Sequence, residues 1–343
     1  NNKDNLKLTI PPFRHDLSNK YDIAEEILRV YGIDTLTSKP LIFAEKNRIN
    51  KTIKKIDYLK NIRQKAVANG FFETLHFVFD SKERYKKYNI PVVANNKDIL
   101  NPIVNDLDTL RQTTILQLLE AVKLNKNNGY KKIALFTSGS VYNEKREELN
   151  KIGFVWSGNQ YKENINHNKN KKVDFAFFVE KLGLIFGDFE LIEEKNIILA
   201  HPYQSAKVLI DGIEVGFIAK LHPKVAKDFE IDDTFIAEFD LDLIPDKNHK
   251  AEDIVKIQKS TRDLSLLVDK NQNYNEIKKA IDSLEIIEII EFYPIDIFDL
   301  GDKNSLTLRF ILQNSQKSLT DEEINDIITK IIEKVKDLGV ELR

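Results

Sequence analysis

The sequence contains no cysteine and no methionine, and a single tryptophan among 343 residues. Without cysteine there are no disulfides, no thiolate nucleophiles and no cysteine-ligated zinc or iron–sulfur centres, and a reducing compartment is permitted without being required. No apolar run approaches the ~18 residues of a membrane span, and no signal peptide opens the chain. Neither sign of charge dominates: 52 basic side chains stand against 54 acidic ones, a net of -2. No global positive field therefore advertises nucleic-acid binding. His-x-x-x-His and Glu-x-x-His spacings are absent, which argues against zinc. His201 and His222 each precede a proline and read as turn residues. No dinucleotide-type or phosphate-cradling glycine loop occurs, and Thr137-Ser138-Gly139-Ser140 is only a weak glycine turn. Average usage would give several methionines, and a native start would give one. The chain is expected to begin inside a longer protein. The other account is that modified methionines are missing from the sequence, which would shift nearby spacings by one.

What is present is an ordinary globular balance, 42% hydrophobic and 31% charged over 39.8 kDa, suited to two or three domains. Residues 1–40 hold an expected strand, Leu6 to Ile10, a Pro11-Pro12 break and a helix from about Tyr21 to Tyr31 stopped by Gly32. Lys39-Pro40 reads as a linker. In 41–246, Ile49, Ile53, Ile56, Leu59 and Ile62 recur at helical spacing and predict a helix over about Ile49 to Ala68, closed by Asn69-Gly70. A second helix is predicted from about Thr109 to Asn125. Apolar runs follow at 132–137, 152–156, 174–179, 183–186 and 205–210, and Asp211-Gly212 marks a hairpin. Gln160–Lys172, rich in Asn and Lys, reads as a mobile surface loop.

The last region, 258–343, is the clearest. Leu264, Leu266 and Val268 alternate on one strand, and Leu306, Leu308, Phe310 and Leu312 on another. Helices are expected at about Tyr274–Leu284 and from the Thr320/Glu323 capping box to Asp337. The order is βαββαβ, a ferredoxin-like sheet with helices on one face and the other face open. Thr307, Arg309 and Ile311 fall on that open face.

Two charge clusters stand out. Asp16 precedes the first helix, and Asp22, Glu25 and Glu26 lie on its first turns, beside one another at spacings of three and four. Ile23, Ile27 and Val30 form the expected buried stripe. Carboxylates grouped this way suit a hard cation such as magnesium; a solvated helix start favoured by the helix dipole is the other reading. From Lys46 to Lys65 there are eight Lys or Arg residues and one acid, Asp57. That is a phosphate-facing helix or the solvated face of an amphipathic one.

Pro12-Phe13-Arg14-His15-Asp16-Leu17, then Asp22-Ile23-Ala24-Glu25-Glu26-Ile27 and Arg29-Val30-Tyr31-Gly32, resembles the beta chain of bacterial phenylalanyl-tRNA synthetase. The likeness continues through Gly70-Phe71-Phe72-Glu73-Thr74, Asn101-Pro102, Leu110-Arg111, Leu118-Leu119, His201-Pro202, Ser205-Ala206 and Leu221-His222-Pro223 to Arg262-Asp263-Leu264 and Leu319-Thr320-Asp321-Glu322-Glu323-Ile324. It departs at Thr113–Leu119, where a Pro-Gly turn is replaced by expected helix, and at Phe136-Thr137-Ser138-Gly139, where the family carries Phe-Glu-x-Gly.

The resemblance implies an α+β chain: a short strand–helix segment ending a metal-binding domain (1–40), a class II synthetase-like antiparallel-sheet module without catalysis that packs on the alpha chain as scaffold and second tRNA surface (41–246), a linker (247–257) and a ferredoxin-fold anticodon-binding domain (258–343). It implies magnesium on Asp16, Asp22, Glu25 and Glu26, an alpha-chain partner in an alpha2beta2 heterotetramer, tRNA(Phe), ATP-dependent phenylalanine attachment by the alpha chain, and a cytoplasmic location. The residues agree that the middle module is inactive. A working class II site needs an Arg for the ATP α-phosphate and a glycine-rich strand ending in Glu-Arg, and 41–246 offers neither, so no catalytic residue is assigned. Arg262 and Arg309 are the tRNA-binding candidates. A stand-alone RNA-binding or scaffold protein, or an independent small-molecule enzyme, are the competing classes. Exposed apolar surface would favour the subunit over both.

Overall fold

The computed structural model of the chain describes residues 7–40, 50–102, 104–167, 171–245 and 254–343. It divides into two compact units, Asn1–Asp57 and Tyr58–Arg343.

In the first unit, α1 spans Lys20–Tyr31. Asn19 caps it, its side chain accepting from the backbone N–H groups of Tyr21 and Asp22, and Gly32 ends it in a positive-φ conformation. The expected strand is not found: Lys7–Ile10 pairs with nothing among the described residues, and Leu6 lies outside them. An extended segment becomes a strand only where a neighbour takes its hydrogen bonds. The apolar stripe of α1 is not buried either, with Ile27 and Val30 both exposed. The helix predicted over about Ile49 to Ala68 is α2, Lys51–Ala68; Ile49 lies outside the described residues.

The second unit continues with β1 (Phe72–Glu73), β2 (Phe79–Asp80), α3 (Lys82–Lys87), β3 (Thr109–Leu110), α4 (Ile115–Asn127), β4 (Lys132–Tyr142), β5 (Glu148–Gly158), α5 (Phe175–Phe186), β6 (Glu190–Glu193), β7 (Ala200–Ile210), β8 (Ile213–Leu221), α6 (Pro223–Asp228) and β9 (Thr234–Asp240). Seven strands form one sheet in the order β1-β4-β5-β9-β8-β7-β6, antiparallel except where β1 meets β4. Both faces are covered, so alternate residues serve two cores. Ala134, Phe136, Phe154, Trp156, Phe235 and Phe239 pack with Ile62 and Ala66 of α2 and Phe178, Leu182 and Phe186 of α5. Ile133, Leu135, Val155 and Ile236 pack on the other side with Leu116, Leu119 and Val122 of α4. Strands buried on both faces read as continuous apolar runs. The runs at 174–179 and 183–186 are nevertheless the two ends of one helix, α5, capped by Asp174. Thr109–Leu110 is a short strand paired with β2, and the helix predicted from Thr109 starts only at Ile115.

The C-terminal part holds β10 (Ser260–Asp269), α7 (Tyr274–Asp282), β11 (Ile289–Asp299), β12 (Lys303–Leu312), α8 (Asp321–Lys336) and β13 (Glu341–Leu342). The strand order β11-β12-β10-β13 is the ferredoxin-like arrangement expected from the pattern. Leu264, Leu266, Val268, Leu306, Leu308, Phe310 and Leu312 face α7 and α8 and bury with Ile277, Ile281, Ile327 and Ile331. This domain rests on β6: Asn275 Nδ2 donates to the Leu191 carbonyl (3.3 Å), and Lys279 pairs with Glu190 (3.0 Å).

Candidate functional site

Three of the four acids of the first unit, Asp16, Asp22 and Glu26, already accept from donors. Arg14 Nη2 stands 2.6 Å from Asp16 Oδ2 and 2.6 Å from Glu26 Oε1, and Arg29 reaches the second oxygen of Glu26 at 2.5 Å. Arg14 holds the Asp16 carboxyl down to about 2 and keeps Glu26 below its usual range. Asp22 accepts from the backbone N–H groups of Ser18 (2.7 Å) and Asn19 (2.9 Å), which depress its pKa and complete the capping box. Glu25 is exposed. No three metal-ligating side chains converge among the described residues. Arg14 bridges Asp16 and Glu26, so a metal ion held by these carboxylates would have to displace it.

On the C-terminal sheet, β12 sends Thr307, Arg309 and Ile311 to the face that the helices leave open. Register places Asp263 of β10 on one side of Arg309 and Tyr293 of β11 on the other. Arg309 donates bidentately to Asp263, Nε to Oδ1 at 2.8 Å and Nη2 to Oδ2 at 2.7 Å. The pair lowers the Asp263 pKa and raises that of Arg309. Ser265 and Thr307 hydrogen-bond alongside at 2.9 Å. A guanidinium fixed flat by two bonds, next to a partly exposed phenol ring, can stack an unpaired base and offer donors to its edge. Arg262 is elsewhere. It lies opposite Phe310, hence on the helix-covered face, and pairs with Asp321 at the start of α8 (3.0 Å). The two candidate arginines are thus one residue's width apart in register but on opposite faces.

A third cluster has no signal in the sequence. Glu238, on β9 and 4% exposed, accepts from Thr113 Oγ1 (2.8 Å), Thr114 N (2.7 Å), Thr114 Oγ1 (2.8 Å) and Lys151 Nζ (3.0 Å). Burial pushes its pKa up, but Lys151 and the Thr114 donors outweigh that and leave it below the usual glutamate value. Arg111, equally buried, donates to the Ser140 carbonyl (2.8 Å) and Gln117 Oε1 (3.0 Å). Gln117 Nε2 in turn donates to the carbonyls of Phe77 and Phe79. These groups bond one another and fasten the head of α4 to the sheet; they present no nucleophile or open acid. Thr113 and Thr114, expected to be ordinary helix, are the approach to α4 that Glu238 grips. Each partner is more than a hundred residues from Glu238, or on another strand, so no local spacing announces the cluster.

Three family models match the chain. The phenylalanyl tRNA synthetase beta chain CLM domain matches residues 44–241, the ferredoxin-fold anticodon binding domain 255–343 and the tRNA synthetase B5 domain 1–33. The phenylalanine–tRNA ligase beta subunit of Sulfurimonas denitrificans is 42% identical over 99% of this chain and 44% of its own length. Those of Helicobacter pylori strain J99 and Campylobacter jejuni strain RM1221 are 40% and 38% identical over 96% and 98% of this chain. The chain spans under half the length of these relatives, 43–44%. A solved pyrrolysyl tRNA synthetase from Desulfitobacterium hafniense overlays with a TM-score of 0.42 at 14% identity, covering 55% of this chain and 64% of that one, a likeness too loose to argue from. With a family model covering most of the seven-stranded module and a second covering the ferredoxin-like domain, the chain belongs to the phenylalanyl-tRNA synthetase beta chain family and is a C-terminal portion of such a chain.

Proposed function

We propose that the chain supports ATP-dependent attachment of phenylalanine to tRNA(Phe) by an alpha subunit in a cytoplasmic heterotetramer of two alpha and two beta chains, and does no catalysis itself. Its seven-stranded module acts as a scaffold for the alpha chain and its ferredoxin-like domain contacts the anticodon. The observation that carries the anticodon role is the helix-free face bearing Arg309 between Asp263 and Tyr293. With 12 basic and 17 acidic residues over 258–343, a net of -5, that domain cannot rely on phosphate attraction and must work through stacking and base edges. Arg262, tied to Asp321, contributes to RNA contact only from the rim of the sheet. The scaffold role is supported by exposed Phe72, Leu75 and Phe77, an apolar stretch at the β1 edge of the sheet that a subunit interface would cover.

Magnesium on Asp16, Asp22, Glu25 and Glu26 is part of the proposal, supported by the motif and by the closeness of Asp16 and Glu26, which one guanidinium bridges. Metal would have to replace Arg14 there. Glu25→Gln with Glu26→Gln should weaken magnesium binding and assembly while α1 stays helical, since Gln is nearly as good a helix former as Glu. Unchanged assembly and magnesium dependence would leave the cluster a solvated helix start.

The deciding experiment is to co-express the full-length beta chain with its matching alpha chain and measure phenylalanine transfer to tRNA. The 343-residue chain alone should neither charge tRNA nor catalyse phenylalanine-dependent pyrophosphate exchange. Clear activity without an alpha chain would overturn the assignment of catalysis to the partner.

A further inference from the structure

The head of α5 and the strands β6 to β9 enclose a cavity of about 680 Å³ on the face of the seven-stranded sheet that α5 covers. That size is ordinary for a small-molecule site. Its floor is apolar. Val173 and Phe235 are buried there, Leu191 and Phe175 are half-buried, and the Phe175 and Phe235 ring centres lie 6.3 Å apart. Strand register sets Lys220 of β8 beside Phe235 of β9, and Glu193 of β6 beside the small Ala206 of β7.

The rim is acidic. Asp174, Glu193 and Asp233 line the cavity from three separate parts of the chain. The one ammonium in the lining, Lys220, is already committed to Asp233 at 2.9 Å. Asp174 uses only Oδ1 to accept from the Phe177 N–H at the start of α5 (2.8 Å). One corner shows which chemistry it accepts. Lys195 Nζ stands 3.5 Å from Glu193 Oε1 and 5.9 Å from the centre of the Tyr203 ring, an exposed ring that also lines the cavity. A primary ammonium on a methylene chain therefore already rests on that carboxylate and that aromatic face, and Lys220 repeats the pattern on Asp233.

We propose that this cavity binds an aliphatic polyamine, with its methylenes on Val173, Leu191 and Phe235 and its terminal ammonium groups on Glu193 with Tyr203 and on Asp174. Carboxylates on separate elements around one apolar floor suit a flexible chain charged at both ends. The Tyr203 face adds cation–π attraction. A compact metal ion would use the carboxylates and gain nothing from the floor. An anion or a zwitterion would find no uncommitted ammonium in the lining to take its negative end. Lys195 is then a built-in competitor, which the ligand displaces from Glu193 and Tyr203. The site shares no residue with the Arg309 face and gives the seven-stranded module a ligand of its own.

The test is calorimetric titration of the 343-residue chain with spermidine at physiological ionic strength. Asp174→Asn with Glu193→Gln should weaken binding about tenfold, and Asn keeps the cap of α5. Tyr203→Ala should weaken it about threefold. Lys195→Gln should tighten it about threefold, because the competitor is gone. That side chain is 60% exposed and has no packing to lose, so this variant stays informative even if another fails to fold. Lys270→Gln changes the net charge equally but acts on Asp299 in the C-terminal domain, and should leave the affinity unchanged. Far-ultraviolet circular dichroism checks the fold of each variant. Affinities within about twofold of the parent for both Lys195→Gln and the Asp174/Glu193 pair overturn the proposal. So does displacement of spermidine by magnesium chloride at equal concentration, which would make the cavity a plain acidic surface. Tighter binding of acetyl-trilysine amide than of spermidine also overturns it, since the ammonium groups would then belong to a protein partner.

Discussion

Glu238 is the side chain whose removal the fold should tolerate least. Replacing it with Ala leaves Lys151, Thr113 and Thr114 without their shared acceptor, and breaking one side of a buried pair costs about 3–5 kcal/mol. The midpoint of urea denaturation checks it. Protonation should do the same more gently. The folded pKa of Glu238 lies below the ordinary 4.5, so its contribution is complete above that value and fades as pH falls through the lower, folded one. Stability of the parent should therefore drop below about pH 4.5, and the Glu238→Gln variant should lack part of that drop. Arg309 behaves oppositely. Its pair with Asp263 is solvent-facing, with 39% and 41% of the side chains exposed, so Arg309→Ala should change stability by less than about 1 kcal/mol while weakening binding of an anticodon stem–loop. Strand alternation made the face of Arg309 legible in sequence. Its partner was not, because Asp263 meets it through a register 46 residues distant. Glu238 was illegible for the same reason, reinforced by its position in a strand that otherwise reads as apolar.

Elements were legible where their signals are local. The capping box of α8 lies within four consecutive residues: Thr320 Oγ1 accepts from Glu323 N while Glu323 accepts from Thr320 N. Thr320→Ala should cost about 1 kcal/mol in a thermal or denaturant melt. The βαββαβ order was equally readable, since two alternating apolar strands and two amphipathic helices leave one economical way to bury their faces. The middle module was harder. Its strands and α5 are both apolar over most of their surface, because both sit inside a three-layer sandwich, and period alone cannot then separate helix from strand. Thr109–Leu110 carries no strand signal because a two-residue strand exists only through its partner, β2. Close approaches between elements are also silent in sequence. A Cβ on Gly153 of β5 would fall 2.1 Å from Thr114 Oγ1, the hydroxyl that Glu238 holds. Gly153→Ala should force the head of α4 away from the sheet and cost roughly 1–3 kcal/mol, read from the denaturation midpoint.

At the scale of the molecule, deleting 258–343 from the full-length beta chain should weaken charging of tRNA while sparing phenylalanyl-adenylate formation, provided the tetramer assembles; charging kinetics unaffected by the deletion would remove the anticodon role. Domain order was legible because each domain carries its own short motifs. Overall charge, a net of -2, carried no such signal.

The two rims of the seven-stranded sheet are treated differently. At β6 the outer backbone is engaged by α7, through Asn275 on the Leu191 carbonyl and Lys279 on Glu190. At β1 no further strand pairs among the described residues, and the rim is flanked by exposed Phe72, Leu75 and Phe77. A sheet with two sticky rims grows into a filament; one with a single sticky rim can only close into a pair. Self-association of the isolated chain through its sheet should therefore stop at a dimer. Sedimentation velocity should resolve two species and no ladder above them, and Phe77→Ser should shift the balance to the smaller. Cutting away 258–343 would uncover the second rim and turn a self-limiting association into an open-ended one, which makes the C-terminal domain a stopper for the sheet as well as a candidate reader of RNA.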